Sequence, residues 1–253
     1  MKKLLIAVLL FINASIIYAN PIDAKCPNQV VWGAPQIKAE GNNQYLCRTG
    51  YAVNINYKTK VPYFVVEHIT ASELDQGVKR KDDFREDPEV PVAHRVTLKD
   101  YVGTGYDRGH MAPAADFTYD KTVMSESFLL SNMMPQDVGN NRGIWKLLEE
   151  SVRSWAIKYK EVYVISGTIY DNKSITIGNN VGVPSFIYKI IIDPIKQRAI
   201  AFNFPNIKLD PKDIENYNVS IANIEALTGI NFEPALPQSA HRLETTKTNL
   251  KDW

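Results

Sequence analysis

Cysteine is scarce: Cys26 and Cys47 are the only two in 253 residues, beside four histidines, His68, His94, His110 and His241. With no CxxC pair and no histidine near either cysteine, a zinc centre has no ligand set here. No P-loop, HExxH, GxSxG or dinucleotide glycine fingerprint occurs either. An excess of one charge is also lacking, since 29 basic residues face 28 acidic ones. A protein that coats nucleic acid through a basic surface would be far more positive, so any such contact must be a local groove. Repeats, low-complexity tracts and Ser/Gly/Pro linkers are missing, which leaves no place to divide the chain. What remains, 45% hydrophobic and 23% charged, is the composition of an ordinary soluble globular protein.

One apolar run stands out at the N-terminus. Lys2 and Lys3 precede a continuous stretch from Leu4 to Ile12, and Ala19 offers a small residue for cleavage. That order predicts a secretory signal peptide over residues 1–19 and a single domain over 20–253. The run is shorter than the roughly 20 residues a bilayer-spanning helix needs, and no later segment is apolar enough to span. Losing two lysines leaves 27 basic against 28 acidic residues. The expected location is secreted or periplasmic. In that oxidising setting Cys26 and Cys47 should form a disulfide, the alternative being two free buried thiols.

Periodicity supplies the elements. A Val- and aromatic-rich strand is predicted over Val61–Ile69, followed by a polar excursion from Ser72 to Glu89. Met124–Leu130 reads as a short strand running into a loop over Asn132–Asn141. A helix should begin close after Asn140-Asn141, with Asn as N-cap. Ile144, Leu147, Leu148, Val152, Trp155, Ala156 and Tyr159 form its buried face. Strands follow at Glu161–Ile169, Ser185–Ile192 and Arg198–Phe204. A second helix carries Val219, Ile221, Ile224 and Leu227 and stops at Gly229. Strands alternating with few helices indicate a single α+β domain.

Chemistry concentrates in Asp107-Arg108-Gly109-His110-Met111-Ala112-Pro113. Arg binds phosphate oxygens in a fork, His moves protons near neutral pH, and Asp can orient a neighbour. Alone, a His beside an Arg is weak, because a lone histidine is more often structural. A second segment, Asn132-Met133-Met134-Pro135-Gln136 to Asn140-Asn141-Arg142-Gly143-Ile144-Trp145 and Glu149, sets polar amides before the helix. An amide oxygen is a hard ligand suited to Mg²⁺. On the residues alone, helix capping by Asn140 or Asn141 is the favoured account, and so is a helix-face ion pair of Glu149 with Arg153 at i+4. His68 reads as a core or edge residue, and His94 and His241 have no partner spacing. Lys79-Arg80-Lys81 is either a groove lining or a solvated charge run.

Together the two segments resemble the family of sugar-nonspecific DNA/RNA endonucleases with a ββα-metal active site. The Asp-Arg-Gly-His core matches at Asp107 to His110. The loop-helix element matches as Asn132-x-x-Pro135-Gln136, Asn141-x-Gly143-x-Trp145 and Glu149. Phe84-Arg85-Glu86-Asp87-Pro88 and Tyr101-x-Gly103-x-Gly105-Tyr106 look like the family's approach, and Ser220-x-x-x-Ile224-Glu225-x-x-Thr228-Gly229 like its C-terminal signature. The blocks span roughly residues 45 to 240. The resemblance implies an α+β, ββα-metal fold, with a central mixed or antiparallel sheet and helices packed on it. It implies an Mg²⁺-dependent endonuclease, with Mn²⁺ able to substitute, acting on DNA and RNA without sequence preference. His110 would be the general base, Asn141 the one direct protein ligand to the metal, and Glu149 its support through a water. Arg108 would contact the phosphate, Asp107 and Asn132 would shape the site, and Arg80 is the nearest candidate for a further family arginine, at a spacing that departs from the pattern. A phosphodiesterase for a non-nucleic-acid diester and an inactive nucleic-acid binder are the alternatives. The sequence leaves a homodimer and an inhibitor partner open.

Overall fold

The computed structural model describes residues 25–31, 33–37, 41–236 and 244–253; the leader expected over 1–19, and His241, lie outside them. Seven strands form the central sheet: β1 Asn43–Cys47, β2 Tyr51–Asn56, β3 Pro62–Thr70, then β6 Glu161–Ile169, β7 Phe186–Asp193, β8 Arg198–Pro205 and β9 Asn218–Val219. Its order is β9-β8-β7-β6-β3-β2-β1, with every neighbouring pair antiparallel. Outside this sheet three short pairs form, and the one that builds the site joins β4 Tyr106–His110 to β5 Met133–Asp137. Three helices matter here: α1 Lys121–Glu126, α2 Lys146–Tyr159 and α3 Ile221–Thr228.

Both faces of the sheet are covered, so its inner strands are apolar almost without break. Period two still sorts them. Val65, Ile69, Val162, Val164, Ile187, Ile191, Ile200 and Phe202 pack with Leu148, Val152 and Trp155 of α2. Phe64, Val66, Tyr163, Ile165, Tyr188, Ile190 and Ala201 pack with Ile221 and Ile224 of α3. Gly229 ends α3 in the left-handed region at φ 70°, as expected, while Ser220 caps its start by accepting from the Asn223 N–H, so Val219 falls in β9 and not on the helix. Cys26 and Cys47 are disulfide-bonded, Cα atoms 5.5 Å apart, which ties the N-terminal segment to β1.

Two expectations fail. Residues 124–130 are not a strand: Asp120 accepts from the backbone N–H groups of Thr122 and Val123 and starts α1, which runs to Glu126, and a turn leads on to a 3-10 turn at Leu130–Asn132. The strand lies later, at Met133–Asp137, inside what reads as a loop. The helix also starts earlier than expected. Asp137, not an asparagine, accepts from the Asn140 N–H at 2.9 Å and caps it.

Candidate active site

Antiparallel pairing of β4 with β5 sets Asp107 opposite Gln136, Arg108 opposite Pro135, Gly109 opposite Met134 and His110 opposite Met133. Alternation then turns Arg108 and His110 to one side of the strand. Phe84 lies against both: the Arg108 guanidinium is 4.3 Å from its ring centre and the His110 ring 5.5 Å. Gly109 is required by close packing, since a Cβ there would sit 2.7 Å from the Gln136 Cβ.

The pair continues into a helical segment with a defect at the position that matters. Val138–Asn140 is α-helical, Asn141–Trp145 widens into a π turn with Gly143 off helical geometry, and α2 follows. Such wide turns often mark functional sites. Asn141 is thus inside the helix, and its side chain is free of capping. Its Nδ2 donates to Asp107 at 2.9 Å, which leaves Oδ1 as an acceptor with no donor among the described residues. Asp107 also accepts from Nε and Nη2 of Arg142, both at 2.9 Å. Burial raises the Asp107 pKa, but the bonds from Arg142 and Asn141 outweigh it and hold the carboxylate below its usual range.

Several bonds fix this unit to the body. Trp145, fully buried, donates its indole N–H to the His110 carbonyl at 3.2 Å. Asn132 donates to the carbonyls of Ala112 and Ser127, both at 2.8 Å, and accepts from the Ala112 N–H. Asn206 donates to the Pro135 carbonyl, and Asn140 to those of Pro205 and Ile207. The Phe84–Pro88 block is anchored through Asp87, which is buried and bonded by Arg48 and Ser131.

These segments line one open cleft of about 550 Å³, with Arg80, Asp82, Phe84, Asp107, Arg108, His110, Asn141, Arg142, Lys146, Glu149 and Arg153 in its wall. Five of its side chains are basic and three acidic, a local positive groove on a chain of nearly balanced charge. His110 is 8% exposed, and its Nε2 is buried with no hydrogen-bond partner. Burial first, then Arg80 and Arg108, push its pKa down to about 3. The imidazole is therefore neutral over the whole ordinary pH range. Glu149 moves the other way, raised to about 7 by burial above all, with Asp116 adding and Lys189 and Arg153 opposing.

The sequence-predicted residues His110, Arg108, Asp107, Asn141, Glu149 and Arg80 meet in this cleft, and Asn132 lies directly behind it. Arg80 pairs with Asp82 at 2.8 Å, its guanidinium 5.1 Å from the Phe128 ring. Arg153 pairs with Asp116 at 2.9 Å, so an ion pair with Glu149 is not what it makes. His68 is bonded to Glu161 of β6 at 2.6 Å, and His94 stacks on Tyr57; both lie outside the cleft. Sequence reasoning missed Asp116, Glu67 and Lys189, acids and a base buried at 3%, 1% and 1% exposure. Their signal was available for two of them, as polar residues at α2-facing positions of apolar strands.

A family profile described as DNA/RNA non-specific endonuclease matches residues 32–239. Nuclease C1 of Cunninghamella echinulata var. echinulata is 38% identical over 206 residues, 74% of this chain and 82% of the relative. Human mitochondrial nuclease EXOG is 34% identical over 214 residues, 77% of this chain; the match spans 58% of the human protein's length. Among solved structures, the EndoG/EndoGI complex superposes with a TM-score of 0.74 at 30% identity, over 83% of this chain and 91% of that one.

Proposed function

Since the chain belongs to the DNA/RNA non-specific endonuclease family, and is a nuclease of the ββα-metal fold, we propose that it hydrolyses phosphodiesters of DNA and RNA with Mg²⁺, using His110 as general base. The observation that carries this reading is one cleft that gathers a buried histidine, an amide oxygen turned from capping, a carboxylate and an arginine surplus. Asn141 Oδ1 would hold the metal and Glu149 would steady it. The ion, Mg²⁺ or Mn²⁺, would supply charge opposite the phosphoryl oxygens and the departing 3′ oxygen.

The chain's own residues do the rest. Neutral His110 accepts the proton of the attacking water, a contribution of about 10²–10⁴ in rate. A base with so low a pKa is weak while the cleft is empty. The phosphate anion brings the negative charge that the imidazole lacks, which raises its basicity when substrate is in place. Arg108, held on Phe84, offers fixed positive charge where negative charge builds up. Arg142 and Asp107 orient the Asn141 amide, and Arg80 extends the groove for the backbone. Contacts made to phosphate rather than base edges give no sequence preference.

Export is proposed from the Lys2-Lys3, Leu4–Ile12 and Ala19 pattern, with the Cys26–Cys47 disulfide as independent support. Related nucleases in human and yeast are named mitochondrial, but the first 19 residues here contain no arginine, unlike the Arg-rich leaders of that route. Purified protein on supercoiled plasmid, with and without EDTA, tests the reaction class. Nicking followed by linearisation, abolished by the chelator and restored by Mg²⁺, is expected. Undiminished cutting after exhaustive chelation would overturn the metal assignment.

A further inference from the structure

Beyond the charge that opposes the rise of the Glu149 pKa, Lys189 has no contact with the groups of the reaction above, yet it is 1% exposed in the centre of the sheet. It stands on β7 between Ile187 and Ile191, at a position facing α2 where those neighbours pack as core. Its Nζ donates to the Ser166 hydroxyl of β6 at 2.7 Å and lies 3.4 Å from the carbonyl of Met111, the residue after His110. The same ammonium is 4.7 Å from the ring centre of Trp145, the indole that donates to the His110 carbonyl. Two of its three contacts therefore converge on the end of β4 that carries the imidazole.

The Lys189 charge lowers the pKa of Glu67, Asp116 and Glu149 from a distance, but it makes no contact ion pair with any of them. Glu67 of β3 has both carboxylate oxygens buried without a hydrogen-bond partner. Asp116 is taken by Arg153, and Glu149 lines the cleft on α2. Among the described residues no acid lies within ion-pair distance of Lys189. A buried ammonium is unfavourable against an apolar residue of the same length. If packing were the only demand, methionine would serve better.

We propose that Lys189 is a positioning residue of the nuclease site, holding the Met111 carbonyl and the Trp145 indole so that His110 meets the phosphate at a fixed angle. This rests on His110 as the base. Small misplacements of a reacting group cost up to about 10²-fold in rate, so a buried anchor one residue from the base has a large lever. Substrate binding, which depends on the arginines of the groove, is not served by this contact.

The test is a double-mutant cycle on plasmid cleavage in Mg²⁺, with Lys189→Met, His110→Ala and the double variant, folding checked by circular dichroism. Lys189→Met should lower kcat by about tenfold or more with KM nearly unchanged, and should cost some thermal stability, because Glu67, Asp116 and Glu149 lose a charge that offsets their burial. In the His110→Ala background the same substitution should do almost nothing, because the group it positions is gone. The Trp145 indole N–H resonance, assigned with Trp145→Phe, should shift in Lys189→Met. If Lys189→Met does not fold, Ser166→Ala, which removes one anchor of the ammonium, carries the same comparison. Near-normal kcat in the folded variant, or an equal fold-loss in the His110→Ala background, would overturn the proposal. A fully active His110→Ala protein would instead sink the reading of His110 as base, and the proposal with it.

Discussion

His110 and Glu149 occupy one cleft and are driven in opposite directions, the imidazole down to about 3 and the carboxyl up to about 7. Burial disfavours the charged form of each, which for a base lowers the pKa and for an acid raises it. This has a signature in stability. Between its ordinary 6.5 and its folded value of about 3, His110 binds a proton in the unfolded chain and not in the folded one. Its contribution is fully present above 6.5 and is lost as pH falls toward 3, by on the order of 1 kcal/mol per pH unit. Glu149 has the opposite sign: its contribution is present below 4.5 and is lost as pH rises through about 7. Urea denaturation of metal-free protein should therefore show His110→Ala gaining on wild type as pH falls from 7 to 4.5. A difference between the two that stays flat over that range would contradict a buried neutral histidine. The sequence located His110 through its neighbours, but the depressed pKa depends on Phe84, Phe128 and Arg80 arriving from distant positions, which no local pattern announces.

At the scale of elements, the site is a strand pair and a widened helix turn locked together. The helix face from Ile144 to Tyr159 and the strands at 161–169 and 198–205 were legible because burial imposes their periods. β5 was not, for a physical reason. It holds Pro135, which cannot donate to a ladder, and it pairs with β4 alone, where the missing donor does no harm. Asn141 looked like a cap because Asp137, which caps instead, precedes it by only four residues. Lys189 and Glu67 were readable only as polar breaks in apolar rows. Gly109 tests the locking directly. Gly109→Ala should destabilise by about 1–3 kcal/mol, as overpacking does, and lower the urea midpoint together with nuclease activity. An unchanged midpoint would show that β4 and β5 are less tightly apposed than the Gly109–Gln136 contact implies.

For the whole molecule, near-neutral charge and a local surplus of arginine in the cleft suit an enzyme that grips backbone briefly and releases it. The Cys26–Cys47 bond closes a loop with a sequence separation of 21 residues, a constraint worth about 3 kcal/mol in the chain-entropy model. Replacing both cysteines with serine should lower the melting temperature while leaving the cleft intact. Free-thiol titration of folded protein checks the premise, and two reactive thiols would contradict it. The central claim, that His110 takes the proton of the attacking water, is tested most directly by turnover of His110→Ala on plasmid at saturating Mg²⁺. His68→Ala and His94→Ala serve as controls, with folding and metal binding verified for each. Turnover of His110→Ala should fall by a factor of about 10²–10⁴ with metal affinity largely retained, and the controls should change far less. Near-normal turnover in a folded, metal-loaded His110→Ala protein would place the base elsewhere.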